Sequence, residues 1–256
     1  MNVQKEDILF TLKELGIKFG DIILVHSSLK SFGYVENGAL TVIEALFAAV
    51  GPEGTIMVPS LTGKITDSRE HPPVFDVRTT PCWTGKIPET FRNLPEARRS
   101  LHPTHSAAAI GMKAEEMLKG HEKSESPCDA KSPYYKNAVM DGYIMLIGCD
   151  QNSNTTIHCC EEIAEVTYHL QKEITEINIT GYMGETILVR NRLHDWHKPP
   201  TDFNKFDELF QSHGIMKKAS VGKSLVRLIK TKDMLEFAVD TLTKNPYFLL
   251  TDKISH

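Results

Sequence analysis

His158 and Glu161 stand three residues apart in the run Ile157-His-Cys-Cys-Glu161. On a helix that spacing brings two side chains to one face. A carboxylate so placed can hold an imidazole in one tautomer and stabilise its charged form, completing a general-base pair. A histidine near a helix start also serves as a cap or a solvated surface group, and spacing alone does not separate these uses. Cys159 and Cys160 abut the histidine, but adjacent helical residues point in different directions. Ser27, Ser28 and Ser106 are further nucleophile candidates, without a GxSxG elbow. His102, His105, His158, Cys159 and Glu162 could each ligate a metal. No HxxxH or CxxC spacing joins them and Pro103 interrupts His102-Pro-Thr-His105, so no metal is expected.

Several elements must position this pair. Tyr143 to Ile147 is an apolar run closed by Gly148, which reads as a buried strand. Asp150 to Thr156 is a polar loop rich in residues that cap helix starts. His158 to Glu165 then reads as a helix, with Ile157, Ile163 and Ala164 as its inward positions. His158 therefore falls just past the end of a core strand, where open α/β sheets bind ligands. Asp21 to His26 is a second buried strand, running into Ser27-Ser-Leu-Lys-Ser-Phe-Gly33. A turn dense in hydroxyls and backbone donors, with a lysine, can cradle phosphate oxygens; it can equally be a plain strand-to-helix turn. Arg98 and Arg99, just before His102, are further phosphate candidates. Neither a Walker lysine motif nor GxGxxG occurs, so a nucleoside triphosphate or a Rossmann dinucleotide is not indicated.

The remaining periodicity places helices over Glu6–Gly16, Gly38–Val50, Ile87–Asn93 and Ala114–Gly120, with another starting at Ser132. Strands fall at Thr55–Pro59 and Ala107–Gly111. Ser60 to Pro81 is too long for an ordinary connector. The alternation to about residue 172 predicts a three-layer α/β/α sandwich around a mixed sheet. Beyond it come antiparallel strands about a Gly181–Gly184 turn, a helix over Phe206–His213, a strand pair within Ala219–Ile229 and a last helix over Thr231–Leu242. This C-terminal extension of antiparallel strands and helices completes a single domain.

At 256 residues and a net charge of −4 the chain carries no nucleic-acid footprint. No apolar run reaches membrane-spanning length and the N-terminus lacks a signal-peptide core, so a cytoplasmic protein without a membrane partner is expected. Five irregularly spaced cysteines (Cys82, Cys128, Cys149, Cys159, Cys160) read as reduced thiols.

Four stretches in order, VHSSLKSFGYVENGALTVIEAL, TTPCWTGKIPETFRNLPEARRSLHPTHSAAAIG, SPYYK and IMLIGCDQNSNTTIHCCEE, resemble the aminoglycoside 3-N-acetyltransferase family. The match runs from Val25 to about Glu162 and thins after about residue 172. The resemblance implies acetyl-coenzyme A as co-substrate and direct transfer to a small-molecule amine. It implies that residues 1–172 bind the coenzyme and 173–256 face the acceptor. The family's coenzyme turn falls on Ser28, Leu29, Lys30, Ser31 and Phe32, and its HPxxS segment places Ser106 beside the pantetheine arm. Its LHxxE motif falls on Ile157 to Glu161, with Ile157 replacing leucine, which makes His158 and Glu161 catalytic. A further acidic residue is expected to face the histidine, here Asp195, with Asp202 behind it. Against this stand a transferase for another amine, a coenzyme-binding protein without chemistry and a metal hydrolase using His102, His105 and His158. The sequence leaves a homo-oligomer open.

Overall fold

The apolar runs meet in one sheet. A computed structural model describes residues 2–251. Its strands are β1 (Asn2–Val3), β2 (Ile22–Ser27), β3 (Tyr34–Val35), β4 (Thr55–Pro59), β5 (Phe75–Asp76), β6 (Arg98–Arg99), β7 (Ala107–Gly111), β8 (Tyr143–Ile147), β9 (Leu170–Thr180), β10 (Thr186–His194), β11 (Met216–Val221) and β12 (Ser224–Lys230). Its helices are α1 (Lys5–Leu15), α2 (Ala39–Val50), α3 (Lys86–Arg92), α4 (Ala114–Leu118), α5 (Pro133–Val139), α6 (Ile157–Ile163), α7 (Asp207–Ser212) and α8 (Thr231–Lys244). The seven-stranded sheet has the order β11-β12-β8-β2-β4-β7-β6. Strands β8, β2 and β4 run parallel; the flanking pairs are antiparallel, so the sheet is mixed.

Successive residues of the central strands enter opposite cores. Leu24, Met57, Ile144 and Leu146 pack with Tyr134 of α5, Ile157 of α6 and Met234 of α8. Ile23, Val25, Ile56, Val58, Met145 and Ile147 pack with Ile8 and Leu12 of α1, Val42 and Leu46 of α2 and Phe91 of α3. Burial on both faces is why these strands read as continuous apolar runs rather than as alternating ones.

The C-terminal segment divides its work. Hairpin β11–β12 joins the large sheet, pairing Val226–Lys230 with Tyr143–Ile147. Hairpin β9–β10 instead forms a separate sheet in the order β10-β9-β5, over a small core that includes Phe75, Ile177, Ile179 and Val189. The long connector Ser60–Pro81 thus supplies a strand to the second sheet. One inward position differs from expectation: Ile163 is 44% exposed. Helix α6 has seven residues, of which Ile157, Cys159, Cys160 and Glu161 are buried, and Ile163 is the last, where the chain leaves the helix. Among the described residues, no helix is long and apolar enough to cross a membrane.

From β2 the chain crosses to β4 through α2 on one face, whereas β8 leads into α6 on the other. The loops after β2 and β8 therefore diverge and leave a crevice at the carboxyl ends of the parallel strands. They meet where Ser28 N donates to Ile147 O at 2.9 Å and Ser31 packs on Gly148. Ser31 Oγ donates to Ser28 O at 2.7 Å and lies 2.8 Å from Ser224 Oγ. Gly148 abuts Ser31, with φ of +63°, and a Cβ there would lie 2.1 Å from Ser31 Cβ. We expect Gly148→Ala to lower unfolding stability by about 2 kcal/mol or more, through both the left-handed backbone and the clash. It should also displace the Ser28–Phe32 turn. Urea unfolding checks the first effect; a wild-type midpoint would refute it.

Candidate active site

The crevice is a cavity of about 250 Å³. Ser27 and Pro59 supply the strand ends, and Asn152, Asn154 and Thr155 the loop after β8. Trp83, His105, His194, Trp196 and Phe203 arrive from other parts of the chain, and His158 stands on its wall. Asn154 Oδ1 accepts from Thr156 N at 3.2 Å, and Asp150 accepts from Asn152 N at 3.1 Å, so the loop's own polar side chains fix how α6 starts.

His158 Nδ1 lies 2.6 Å from Glu161 Oε2, as the i,i+3 spacing requires. The acceptor is a carboxylate, so Nδ1 carries the proton and Nε2 is the basic nitrogen. Glu161 is fully buried. Burial alone would raise its pKa, but the bond and charge of His158, and then the charge of Lys198, outweigh this and hold it well below the usual carboxylate range. Burial dominates at His158 and lowers its pKa, only partly countered by Glu161. The imidazole is thus neutral at pH 7 and able to accept a proton.

Of the other expected site residues, Ser28 to Phe32 form a turn of 3₁₀ helix directly after β2, with Lys30 exposed and Phe32 buried. Ser106 does not line the cavity. Its buried hydroxyl donates to Ser60 O at 2.8 Å and accepts from Arg99 Nε at 2.9 Å. Arg99 also donates to the carbonyl of Ser60, and its guanidinium lies 4.8 Å from the Phe75 ring centre. The pair therefore fastens the long connector to β7, and Arg99 is not a free phosphate ligand; Arg98 is exposed over Tyr182. Asp195 is half-buried, and its carboxylate accepts from His197 N at 2.9 Å rather than from His158. Asp202 caps the turn at Phe203, accepting from Asn204 N at 3.0 Å.

Sequence spacing did not bring together what else gathers here. His194 lies 4.8 Å from His158 between ring centres, and His105 and His169 each lie 6.2 Å away. Phe203 meets His158 edge-on at 5.3 Å. Trp83 and Trp196 meet edge to face at 6.3 Å, with Trp83 Nε1 donating to Gly63 O. Lys198 Nζ lies 3.8 Å from Glu161 Oε1. These residues come from segments far apart in the chain, and the sequence singled out only His105 among them, as a candidate ligand. His102 is turned away from His158 and stacks on His121 at 4.4 Å. Among the described residues no group of three or more His, Cys, Asp or Glu is arranged to hold a metal.

An α/β fold with a carboxylate-held imidazole at the carboxyl ends of its parallel strands has the parts for moving a proton at a bound ligand. Comparison with known proteins makes the class specific. Residues 24–243 match the family profile described as aminoglycoside 3-N-acetyltransferase, and the chain belongs to that family of acyltransferases. It is 31% identical over 249 residues to aminoglycoside N(3)-acetyltransferase IV of a Salmonella species, covering 96% of this chain and 90% of the other. It is 34% identical over 259 residues to the prophage-derived aminoglycoside N(3')-acetyltransferase-like protein YokD of Bacillus subtilis strain 168, covering 91% and 90%. The fold matches a crystal structure of aminoglycoside acetyltransferase AAC(3)-IVa, a histidine-to-alanine mutant in complex with a gentamicin. The TM-score is 0.82 at 30% identity, covering 98% of this chain and 92% of that one.

The buried histidines have a measurable consequence. His121 Nε2 faces the Pro127 carbonyl and its Nδ1 faces Ser100 Oγ, while His102 Nδ1 accepts from two backbone N–H groups. Each is held as a neutral tautomer. Burial pushes His26 down to about 3 and His121 to about 4, and also lowers His102, His105 and His194. Below the ordinary histidine pKa the unfolded chain binds these protons and the folded one does not, so stability is full above about pH 6.5 and falls as pH drops. Each such histidine contributes a slope of about 1.4 kcal/mol per pH unit. Urea unfolding should therefore lose several kcal/mol between pH 7 and pH 5; equal stability at both would refute this account.

Proposed function

We propose that this protein is an acetyl-coenzyme A-dependent N-acetyltransferase that moves an acetyl group directly to an amine of an aminoglycoside-like acceptor, with His158 as general base. The observation that carries the reading is the 2.6 Å bond from His158 to buried Glu161 at the cavity wall, which leaves Nε2 to face an acceptor. Family membership and the gentamicin complex of the related AAC(3)-IVa mutant support the acceptor class.

The residues present fit a coenzyme thioester. Ser27 Oγ and His26 Nε2 are shielded from solvent without a hydrogen-bond partner among the described residues, and both residues line the cavity. Lys30, exposed on the Ser28–Phe32 turn that follows them, is a cation suited to phosphate oxygens. Phe32 anchors that turn in the core, and Ser106 acts through Arg99 and Ser60 to hold the opposite wall. The thioester supplies an electrophilic carbonyl. An alkylammonium cannot attack it before losing a proton. His158 Nε2 takes that proton, and Glu161 steadies the imidazolium that results. As the amine nitrogen bonds to the acetyl carbon the thioester C–S bond breaks, and the coenzyme leaves as a thiolate that takes up the second proton shed by the nitrogen. Ser27 Oγ is a donor available to negative charge developing in the cavity.

A second reading has one observation in its favour. The cavity wall carries four histidines and, among the described residues, no carboxylate. Polycations are bound through complementary charge, so this wall also suits an amine with fewer charges. A thiol-release assay with acetyl-coenzyme A against aminoglycosides and simple amines separates the two acceptor classes.

We expect His158→Ala to cut turnover about a hundred- to ten-thousand-fold while coenzyme binding by calorimetry survives; undiminished turnover would reject the base. Because the His158 pKa lies below its ordinary value, kcat/KM should be flat above neutrality and fall only under about pH 6.5 as the ring takes a proton.

A further inference from the structure

Behind the base, three buried polar atoms have no hydrogen-bond partner among the described residues: Glu161 Oε1, Lys198 Nζ and the Tyr168 hydroxyl. Lys198 Nζ lies 3.8 Å from Glu161 Oε1, 5.7 Å from the centre of the Tyr168 ring and 5.6 Å from that of Phe203. Its side chain is 11% exposed and that of Glu161 is 0%. An ammonium in such a place is costly unless paired. Among the described residues Glu161 is the acid within ion-pair distance of it, while the charge of Asp195 on the same turn also favours the ammonium and the Tyr168 hydroxyl also faces Glu161. The geometry also orders the charges: His158 on one carboxylate oxygen, Lys198 on the other.

We propose that Lys198 is a positioning residue of the transfer reaction: its ammonium holds the Glu161 carboxylate ionised and oriented, so that His158 keeps its Nδ1 proton and a neutral, accepting Nε2. The physical reason is charge balance. A lone buried carboxylate would draw a second proton onto the imidazole and leave it unable to act as a base. A cation on the far oxygen satisfies the carboxylate without occupying Nε2. The other groups facing His158 are His105, His169 and His194, all imidazoles; burial lowers the Lys198 pKa and the charge of Glu161 opposes this, so the ammonium depends on the pair it supports. The inference rests on His158 being the base.

The test is an NMR titration of the His158 ring in the coenzyme-free protein, beside the pH profile of kcat/KM with gentamicin, in wild type, Lys198→Met and Lys198→Arg. Lys198→Met should raise the His158 midpoint and the acidic limb together by about half a pH unit or more. It should lower kcat/KM on that limb about threefold, with the acceptor KM changed less than about twofold. Lys198→Arg should restore both positions. Lys198→Gln serves if the methionine variant does not fold. Loss of rate with midpoint and limb unmoved would make Lys198 a packing residue and overturn the proposal. A raised acceptor KM without a limb shift would make it an acceptor contact and overturn it equally. If His158→Ala is inactive and the Lys198 variants titrate like wild type, only this inference fails; if His158→Ala is active, the base assignment fails first.

Discussion

An ionised carboxylate has to survive where water does not reach. Glu161 is fully buried on the inner side of a seven-residue helix, and it stays charged because His158 donates to one oxygen and Lys198 stands near the other. Desolvation of such a group is costly on its own, and pairing with hydrogen bonding is what offsets it. The surrounding imidazoles follow the same rule in the opposite sense. Burial holds His105, His158 and His194 neutral, so these three add no positive charge to the site.

The sheet makes this arrangement rigid. Leu146 and Ile147 are locked into opposite cores on the two sides of β8, which sets where the chain leaves the sheet. The loop beyond is fixed by its own side chains, with Asn154 on Thr156 and Gln151 on Asp207 of α7. Asp207 in turn pairs with Arg227 at 2.7 Å on β12. The start of α6 is therefore held from the central strand and from the C-terminal hairpin alike. The opposite wall hangs on Arg99, whose guanidinium ties Ser60, Ser106 and the long connector together.

How much of this was legible in the chain differs by scale. The central strands and the longer helices were readable because burial on two faces leaves unbroken apolar runs and helix packing leaves a 3.6-residue period. The His158–Glu161 contact was readable because it is local, three residues on one short helix. Ile163 misled because hydrophobicity does not say where a short helix ends, and Ile163 is the exposed last residue of α6. Arg99 and Ser106 have the chemistry of ligands, and the fold adds what spacing could not show, their hydrogen bonds to each other and to Ser60 of the connector.

By itself the sequence determined the periodic elements, the turn after the first core strand and the paired histidine and carboxylate, since each depends on residues within a few positions of one another. Tertiary structure alone decided what stands around them. Asp195 turns to His197, and Lys198, three residues later, reaches Glu161. His194 and Trp196 join His105 and Trp83 at the cavity. The β11–β12 hairpin returns to the central sheet while β9–β10 leaves it. These pairings join segments far apart in the chain, and their partners are fixed by which surfaces bury one another rather than by any spacing written along it.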